Sequence, residues 1–262
     1  GVCLLLHPYP RLVGTTISHI ALVGNPNSGK SSLFNRLTGL RQQVGNFPGV
    51  TVDKKTGSVT LGAYPTTLID LPGTYSFYPK REDEWVAYRV LMGVDPDIKT
   101  DLILLVADAS NLKRNLLFCS QIIDLKLPVV LALTMIDVAT KKGIKIDIEG
   151  LQKDLGIPVV EVDARKGKGL KELKQSITEI IETPRQKNQP NFIDYKALAS
   201  DAIEAFKKLY PTHSDYAALH YLMHHETFPL ENEMQDTIEQ IEIKYDFNHT
   251  KTQAKEILER YQ

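Results

Sequence analysis

The stretch GNPNSGKSS, residues 24–32, sits between two apolar segments of different period. Before it, Ser18-His19-Ile20-Ala21-Leu22-Val23 is a short continuous run of strand length; after it, Leu33, Phe34 and Leu37 recur at helical spacing. The stretch matches G-x-x-x-x-G-K-[ST] in the strand-then-helix context that makes the pattern a phosphate loop. Gly24 and Gly29 let the backbone turn tightly enough for successive N–H groups to surround phosphates, and the helix N-terminus adds a favourable field. Lys30 supplies a point charge for β- and γ-phosphates, and the short hydroxyl of Ser31 suits Mg²⁺. The whole loop, Gly24, Asn25, Pro26, Asn27, Ser28, Gly29, Lys30, Ser31 and Ser32, is therefore expected to hold a nucleotide.

Two further motifs stand at the spacing such a site requires. In DLPG, residues 70–73, Asp70 ends an apolar strand, where its carboxylate can hold Mg²⁺ through water, and the Gly73 N–H can sense a γ-phosphate. Thr51, closing NFPGVT, lies between Ser31 and Asp70 in the chain. A hydroxyl at the end of a mobile loop joins the metal only when the γ-phosphate is present, which makes that loop a switch.

Further along, Thr51 to Leu61 and Thr66 to Ile69 read as an antiparallel pair with Lys54-Lys55 and Gly57 near its edge or turn, and residues 41–51 as a long loop. Strands then fall at Leu102 to Ala107, Val129 to Leu133 and Val159 to Val162, with helices over Leu112 to Leu125, Ile148 to Leu155 and Leu170 to Ile181. Short apolar strands separated by helices predict an α/β fold, a mostly parallel sheet covered on both faces, with ligand beyond the strands' C-terminal ends. A polar, Pro-containing connection follows at residues 183–190. The tail reads as helices over Tyr195 to Leu209, Asp215 to His224, Glu231 to Tyr245 and Thr252 to Tyr261, the first burying Leu198, Ala202, Ala205 and Leu209. The expected organisation is a linker remnant at 1–17, a sheet domain at 18–183 and a small all-helical domain at 184–262.

With 24% charged residues and a net charge of −1, the chain gives no sign of a nucleic-acid partner. Cys3 and Cys119 are too few for a disulfide framework or metal cage, and Cys119 reads as a buried thiol in a helix. His220 and His224 would share a helical face, but Tyr221-Leu222-Met223 between them offers no metallopeptidase acid. These two, with His213 and His225, are expected to be surface or half-buried histidines. No segment has the apolar length of a membrane span, and the opening GVCLLLHPYPRLVG lacks the basic start of a signal peptide.

Taken together, GNPNSGKSSLFNRLTG, NFPGVT, DLPGTYS, TMID and DARKGKG resemble the guanine-nucleotide-binding domain of FeoB, the prokaryotic ferrous iron transport protein family. The tail resembles the regulatory helical domain that follows it there. The resemblance implies a P-loop GTPase-type fold and a slow GTPase using GTP/GDP, Mg²⁺ and K⁺. It also implies a position on the cytoplasmic face of the prokaryotic cell membrane, with a polytopic membrane domain beyond Gln262 and scope for a homo-oligomer. The alternative is a GTP-dependent binding switch, or a soluble assembly-factor-type GTPase, with incidental turnover.

The same resemblance assigns the base. Asp137 is expected to accept from guanine N1–H and N2, and the backbone N–H of Ala164 in DARKG to address O6. Family members usually carry Asn at the position of Thr134, where the amide meets the N7 side of the base and braces the phosphate loop. Threonine is shorter and is expected to loosen the grip by about one hydrogen bond, ~0.5–1.5 kcal/mol. For hydrolysis, Thr74 stands where many small GTPases have a glutamine, so that mechanism is not available. The resemblance instead gives Asn27 a role in holding K⁺ beside the phosphates, the alternative being that Asn27 caps its own loop. Asn27, Lys30, Thr51 and Gly73 are the expected catalytic group.

Overall fold

The computed structural model describes residues 19–183 and 189–262. The expected linker at 1–17, Cys3 and most of the connection between the two expected domains lie outside the described residues.

β1 (His19–Gly24) runs through the glycine loop into α1 (Lys30–Thr38). β2 (Gln42–Asn46), β3 (Asp53–Leu61) and β4 (Tyr64–Asp70) form an antiparallel meander. Then come α2 (Glu82–Leu91), β5 (Leu102–Asp108), α3 (Leu112–Asp124), β6 (Val129–Thr134), α4 (Ile136–Lys141), α5 (Ile148–Leu155), β7 (Val159–Glu161) and α6 (Leu170–Glu182). The sheet order is β2-β3-β4-β1-β5-β6-β7, parallel from β4 to β7. The fold is thus an α/β sheet with an antiparallel margin, and the phosphate loop leaves the C-terminal end of its central strand.

Because successive side chains point to opposite faces, the central strands feed two cores. Ile20, Leu22, Leu104 and Val130 join Leu33, Phe34 and Leu37 of α1 and Leu173 and Ile177 of α6. Ala21, Val23, Leu105 and Leu131 face the other way, into a core shared with α2, α3 and the helical tail. That tail comprises α7 (Tyr195–Leu209), α8 (Asp215–His224), α9 (Asn232–Lys244) and α10 (His249–Tyr261). It packs against one face of the sheet domain.

Several expectations change. Residues 41–51 do not form a continuous loop, because β2 occupies Gln42–Asn46. Its QQVGN sequence is almost wholly exposed and so carries no apolar alternation to read. Lys54, Lys55 and Gly57 lie inside β3, with β2 and β4 on either side. A Cβ on Gly57 would stand 2.6 Å from Thr38 Cβ, so glycine there lets α1 close onto the sheet. α2 and α4 were not anticipated. α7 is kinked at Ala199, and Leu209, its last residue, is 55% exposed rather than buried. His213, His220 and His225 are buried rather than superficial: the first two lie among aromatic rings of the tail, and His225 is held by Gln235 and Glu242. Cys119 is buried, and burial pushes its thiol up to about 12. Among the described residues no His, Cys, Asp or Glu group is arranged to hold a metal, and no helix is long and apolar enough to cross a membrane.

Candidate nucleotide site

The glycine loop begins where β1 ends between β4 and β5, its register fixed by Leu22 opposite Asp70 and Gly24 opposite Val106. Gly24 is required sterically, since a Cβ there would approach the Val106 carbonyl to 2.7 Å. Asn27 and Gly29 both take left-handed backbone, at φ 61 and 87°, which turns the chain from strand into helix. Leu33 N–H then donates to the Gly29 carbonyl at 3.1 Å, and α1 starts at Lys30.

Lys30 reaches across to Asp70 and ion-pairs with it, both side chains about nine-tenths buried. The DLPG turn is tied to the loop by backbone: Leu71 N–H donates to Leu22 at 3.0 Å and Thr74 N–H to Gly24 at 3.1 Å. A Cβ on Gly73 would lie 3.1 Å from Pro26 N, so the two turns touch. The Thr74 hydroxyl donates to the Ser76 carbonyl at 2.9 Å and closes its own turn.

The base side is built at the ends of β6 and β7. Thr134, 5% exposed, places its hydroxyl 2.5 Å from the Ser28 carbonyl and 3.0 Å from the Ala107 carbonyl. The threonine therefore still reaches the phosphate loop. Met135 follows in left-handed backbone at φ 57° and opens α4, with Asp137 exposed in its first turn. Ala164 lies in the turn that Asp163 and Lys168 close with two backbone bonds of 3.0 Å, and Lys166 N–H caps onto the Asp163 carboxylate at 3.1 Å. Gly167 and Gly169 have φ of 70 and 79°, and a Cβ on Gly167 would meet Arg36 Nη2 at 2.6 Å, which seats this turn on α1.

The structure thus brings together the loop, Lys30, Asp70, Gly73 and Thr134, and carries Asp137 and Ala164 on adjacent strand ends. Ser31 and Ser32 are exposed on the first turn of α1. Thr51 is apart from them: it is exposed just before β3, and among the described residues no hydrogen bond joins it to Ser31 or Asp70. Its segment is anchored by Phe47, 2% exposed, whose N–H donates to the Val52 carbonyl at 2.9 Å. Asn27 is exposed, and its side chain makes no hydrogen bond among the described residues, against the self-capping alternative.

The donor set suits a phosphate ligand with Mg²⁺. The cradle excludes a Cβ at Gly24 and crowds one at Gly73, a cation and a carboxylate meet at its floor, and two short hydroxyls stand at the helix start. The amide of Asn25 and the hydroxyl of Ser28 are buried in the loop without partners, polar groups that a bound ligand or its waters can satisfy.

Sequence reading missed the other side of the DLPG turn. Phe77 N–H donates to Gln121 of α3 at 2.8 Å, and the Phe77 ring lies 4.7 Å from that of His220 on α8. His220 is fully buried with its Nδ1 2.8 Å from the Tyr88 hydroxyl, and burial first, then His224 and Arg260, holds it well below the usual histidine range. Tyr78 is raised well above the usual phenol value by burial and by Glu256 of α10. The helical tail therefore grips the residues four and five positions after Gly73.

The model of the family described as ferrous iron transport protein B matches residues 18–177. The Fe(2+) transporter FeoB of Salmonella typhimurium is 44% identical over 162 residues, covering 60% of this chain and 20% of the relative. The Escherichia coli (strain K12) transporter aligns with the same identity and coverage. The chain spans about a fifth of the length of the curated relatives it matches. Among solved structures, an S. thermophilus NFeoB mutant bound to GDP superposes with a TM-score of 0.74 at 34% identity, covering 94% of this chain and 96% of that one. The cytosolic domain of L. pneumophila FeoB gives 0.75 at 33% identity, covering 93% and 96%.

Proposed function

The chain belongs to the ferrous iron transport protein B family, and from that premise we propose that it binds and hydrolyses GTP as the cytoplasmic portion of a ferrous iron transporter. Its nucleotide cycle would regulate or drive Fe(II) passage through a membrane domain attached beyond residue 262. The observation that carries this reading is the meeting of Lys30 and Asp70 beneath a glycine loop that tolerates no side chain at Gly24.

In this reading Lys30 leaves Asp70 for the β- and γ-phosphates, and Asp70 is released to orient water. Ser31 and Thr51 present hydroxyls and Asn27 an amide oxygen toward the phosphate end, while Gly73 N–H addresses the γ-phosphate. Mg²⁺ and K⁺, when bound, would neutralise charge on the β–γ bridging and γ oxygens. Asp137 accepts from guanine N1–H and N2, and Ala164 N–H donates to O6. Adenine would leave Asp137 facing an acceptor, so selectivity for guanine rests there.

The test is steady-state GTP turnover in K⁺ and in Na⁺ at matched ionic strength, with ATP as control. Both salts screen alike, so a faster rate in K⁺ reports a site for the ion. Asn27→Ala should lower turnover and flatten the difference. Equal rates in the two salts would remove K⁺ from the account, and equal turnover of ATP would remove the guanine assignment. A binding switch with incidental turnover is the second reading, supported by the burial of Phe77 and Tyr78 against the helical tail.

A further inference from the structure

We propose that Thr134 is a positioning residue for the phosphate loop and leaves the N7 edge of a bound guanine without a protein donor, so that this chain accepts 7-deazaguanine nucleotides as readily as guanine nucleotides. The inference rests on the guanine reading above and concerns how the base is held.

A threonine hydroxyl carries one proton. Here it faces two carbonyls, those of Ser28 at 2.5 Å and Ala107 at 3.0 Å, and can satisfy one at a time. The other side of the residue faces Gly29: a Cβ built there would lie 3.6 Å from both Thr134 Cβ and Cγ2, ordinary contact distance. With its oxygen turned to the carbonyls, its methyl toward Gly29 and 5% of its surface exposed, Thr134 has no donor to offer a ligand without giving up its brace on the loop. Rotating the hydroxyl outward would give up its bond to the Ser28 carbonyl, so a bond to the base would replace the brace on the loop and not add to it.

Guanine presents acceptors at N7 and O6 on its outer edge. Ala164 N–H is the donor for O6, and Asp137, an acceptor only, serves N1–H and N2. N7 is then left to water. A ligand in which that nitrogen is replaced by C–H loses nothing the protein supplies, whereas a side chain with two amide protons at position 134 could brace the loop and reach N7 together.

The experiment measures dissociation constants of the full chain for GDP, 7-deaza-GDP and ADP, with Thr134→Asn, Thr134→Val and Thr134→Ser alongside. The expected result is equal affinity for the first two within about twofold in the unmodified chain, and a preference for GDP of about three- to tenfold in Thr134→Asn, the equivalent of one hydrogen bond. Thr134→Val should weaken both guanine ligands by a common factor, and Thr134→Ser should keep them near the parent. A preference of fivefold or more for GDP in the unmodified chain, or a ratio that changes in Thr134→Val, would overturn the inference while leaving guanine binding in place. Equal affinity for ADP and GDP would overturn the guanine reading itself, and the two failures are separate readouts of one titration. The unmodified chain's ratio requires no variant to fold.

Discussion

Replacing Arg260 with leucine should detach the helical tail from the sheet domain energetically, although the residue is third from the end of the chain. Its guanidinium is 1% exposed and binds across three helices: Ser120 and Asp124 of α3 at 3.2 Å each, the Tyr195 hydroxyl of α7 at 2.5 Å, and Glu256 one turn earlier on α10. It also lies 4.8 Å from the Tyr216 ring centre. Both carboxylates are fully buried. Without Arg260, Asp124 keeps the Tyr195 hydroxyl at 2.6 Å, Phe192 N–H at 3.1 Å and Lys126 at 3.8 Å. Glu256 keeps no cation, and its Oε2 already lacks a partner.

Removing one side of a buried ion pair costs ~3–5 kcal/mol, because the surviving charge stays in a poor solvent. The upper half of that range is expected here, since one of two stranded carboxylates has no substitute. Urea unfolding tracked by far-ultraviolet circular dichroism and by fluorescence of the single tryptophan measures it. Trp85 sits edge-on to His224 at 5.4 Å, so its emission reports the junction itself. The double variant Arg260→Leu/Glu256→Leu should recover a large part of the loss, because a buried pair exchanged for apolar side chains is often near neutral. A single variant that loses less than about 1 kcal/mol, or a double variant less stable than the single, would refute the assignment of stranded charge as the cause.

Lys30→Ala should abolish most nucleotide binding, and Ser31→Ala should weaken mainly its Mg²⁺-dependent part, both read by titration of labelled GDP with and without Mg²⁺. Thr51→Ala should leave GDP affinity unchanged within about twofold and lower GTP turnover, since Thr51 stands apart from the loop; a large loss of GDP affinity would make it a structural residue. Gly57→Ala should cost about 1–3 kcal/mol by driving a methyl into Thr38, measured by urea unfolding. Stability should also fall on acidification. Burial, then His249, lowers His224 from 6.5 to about 4, so below pH 6.5 the unfolded chain takes a proton the native one refuses. That contribution is complete above about pH 6.5 and falls by on the order of 3 kcal/mol as pH approaches 4. His225 runs the other way: burial opposes its charge, but hydrogen bonds to Glu242 and Gln235 outweigh that and raise it, so its share is lost as pH rises through the raised value. A melting temperature flat between pH 7 and 5 would contradict the dominance of buried His220 and half-buried His224.

The parallel strands were legible because they are buried on both faces and so read as unbroken apolar runs, β5 and β6 above all. β2 was not, because an edge strand with polar side chains has no burial pattern, and its pairing to β3 is carried by backbone alone. α2 was missed for a different reason. EDEWVAYRVL buries Val86, Ala87, Tyr88, Val90 and Leu91 against two partners, the sheet and the helical tail, so its apolar face is too broad to show a stripe. His220 failed in the same way: α8 is buried nearly all round, and in such a helix a pair four apart carries no directional information, although His224 at its end is half-buried as expected.

Motifs located the candidate site well because a phosphate loop is specified by what must be small and what must be charged, and both are local properties of the chain. What joins the motifs is not local. Ala107 acts only through its carbonyl, a group every residue has, and it matters because β5 ends beside β6 in register with Thr134. The shorter side chain at position 134 looked like a loss when measured against an asparagine reaching for the base. In the folded chain its hydroxyl is already engaged by the loop that holds the phosphates. A change confined to one side chain is therefore divided between two ends of a nucleotide, bracing one and releasing the other, and sequence spacing cannot apportion it because Ser28 and Thr134 are 106 residues apart.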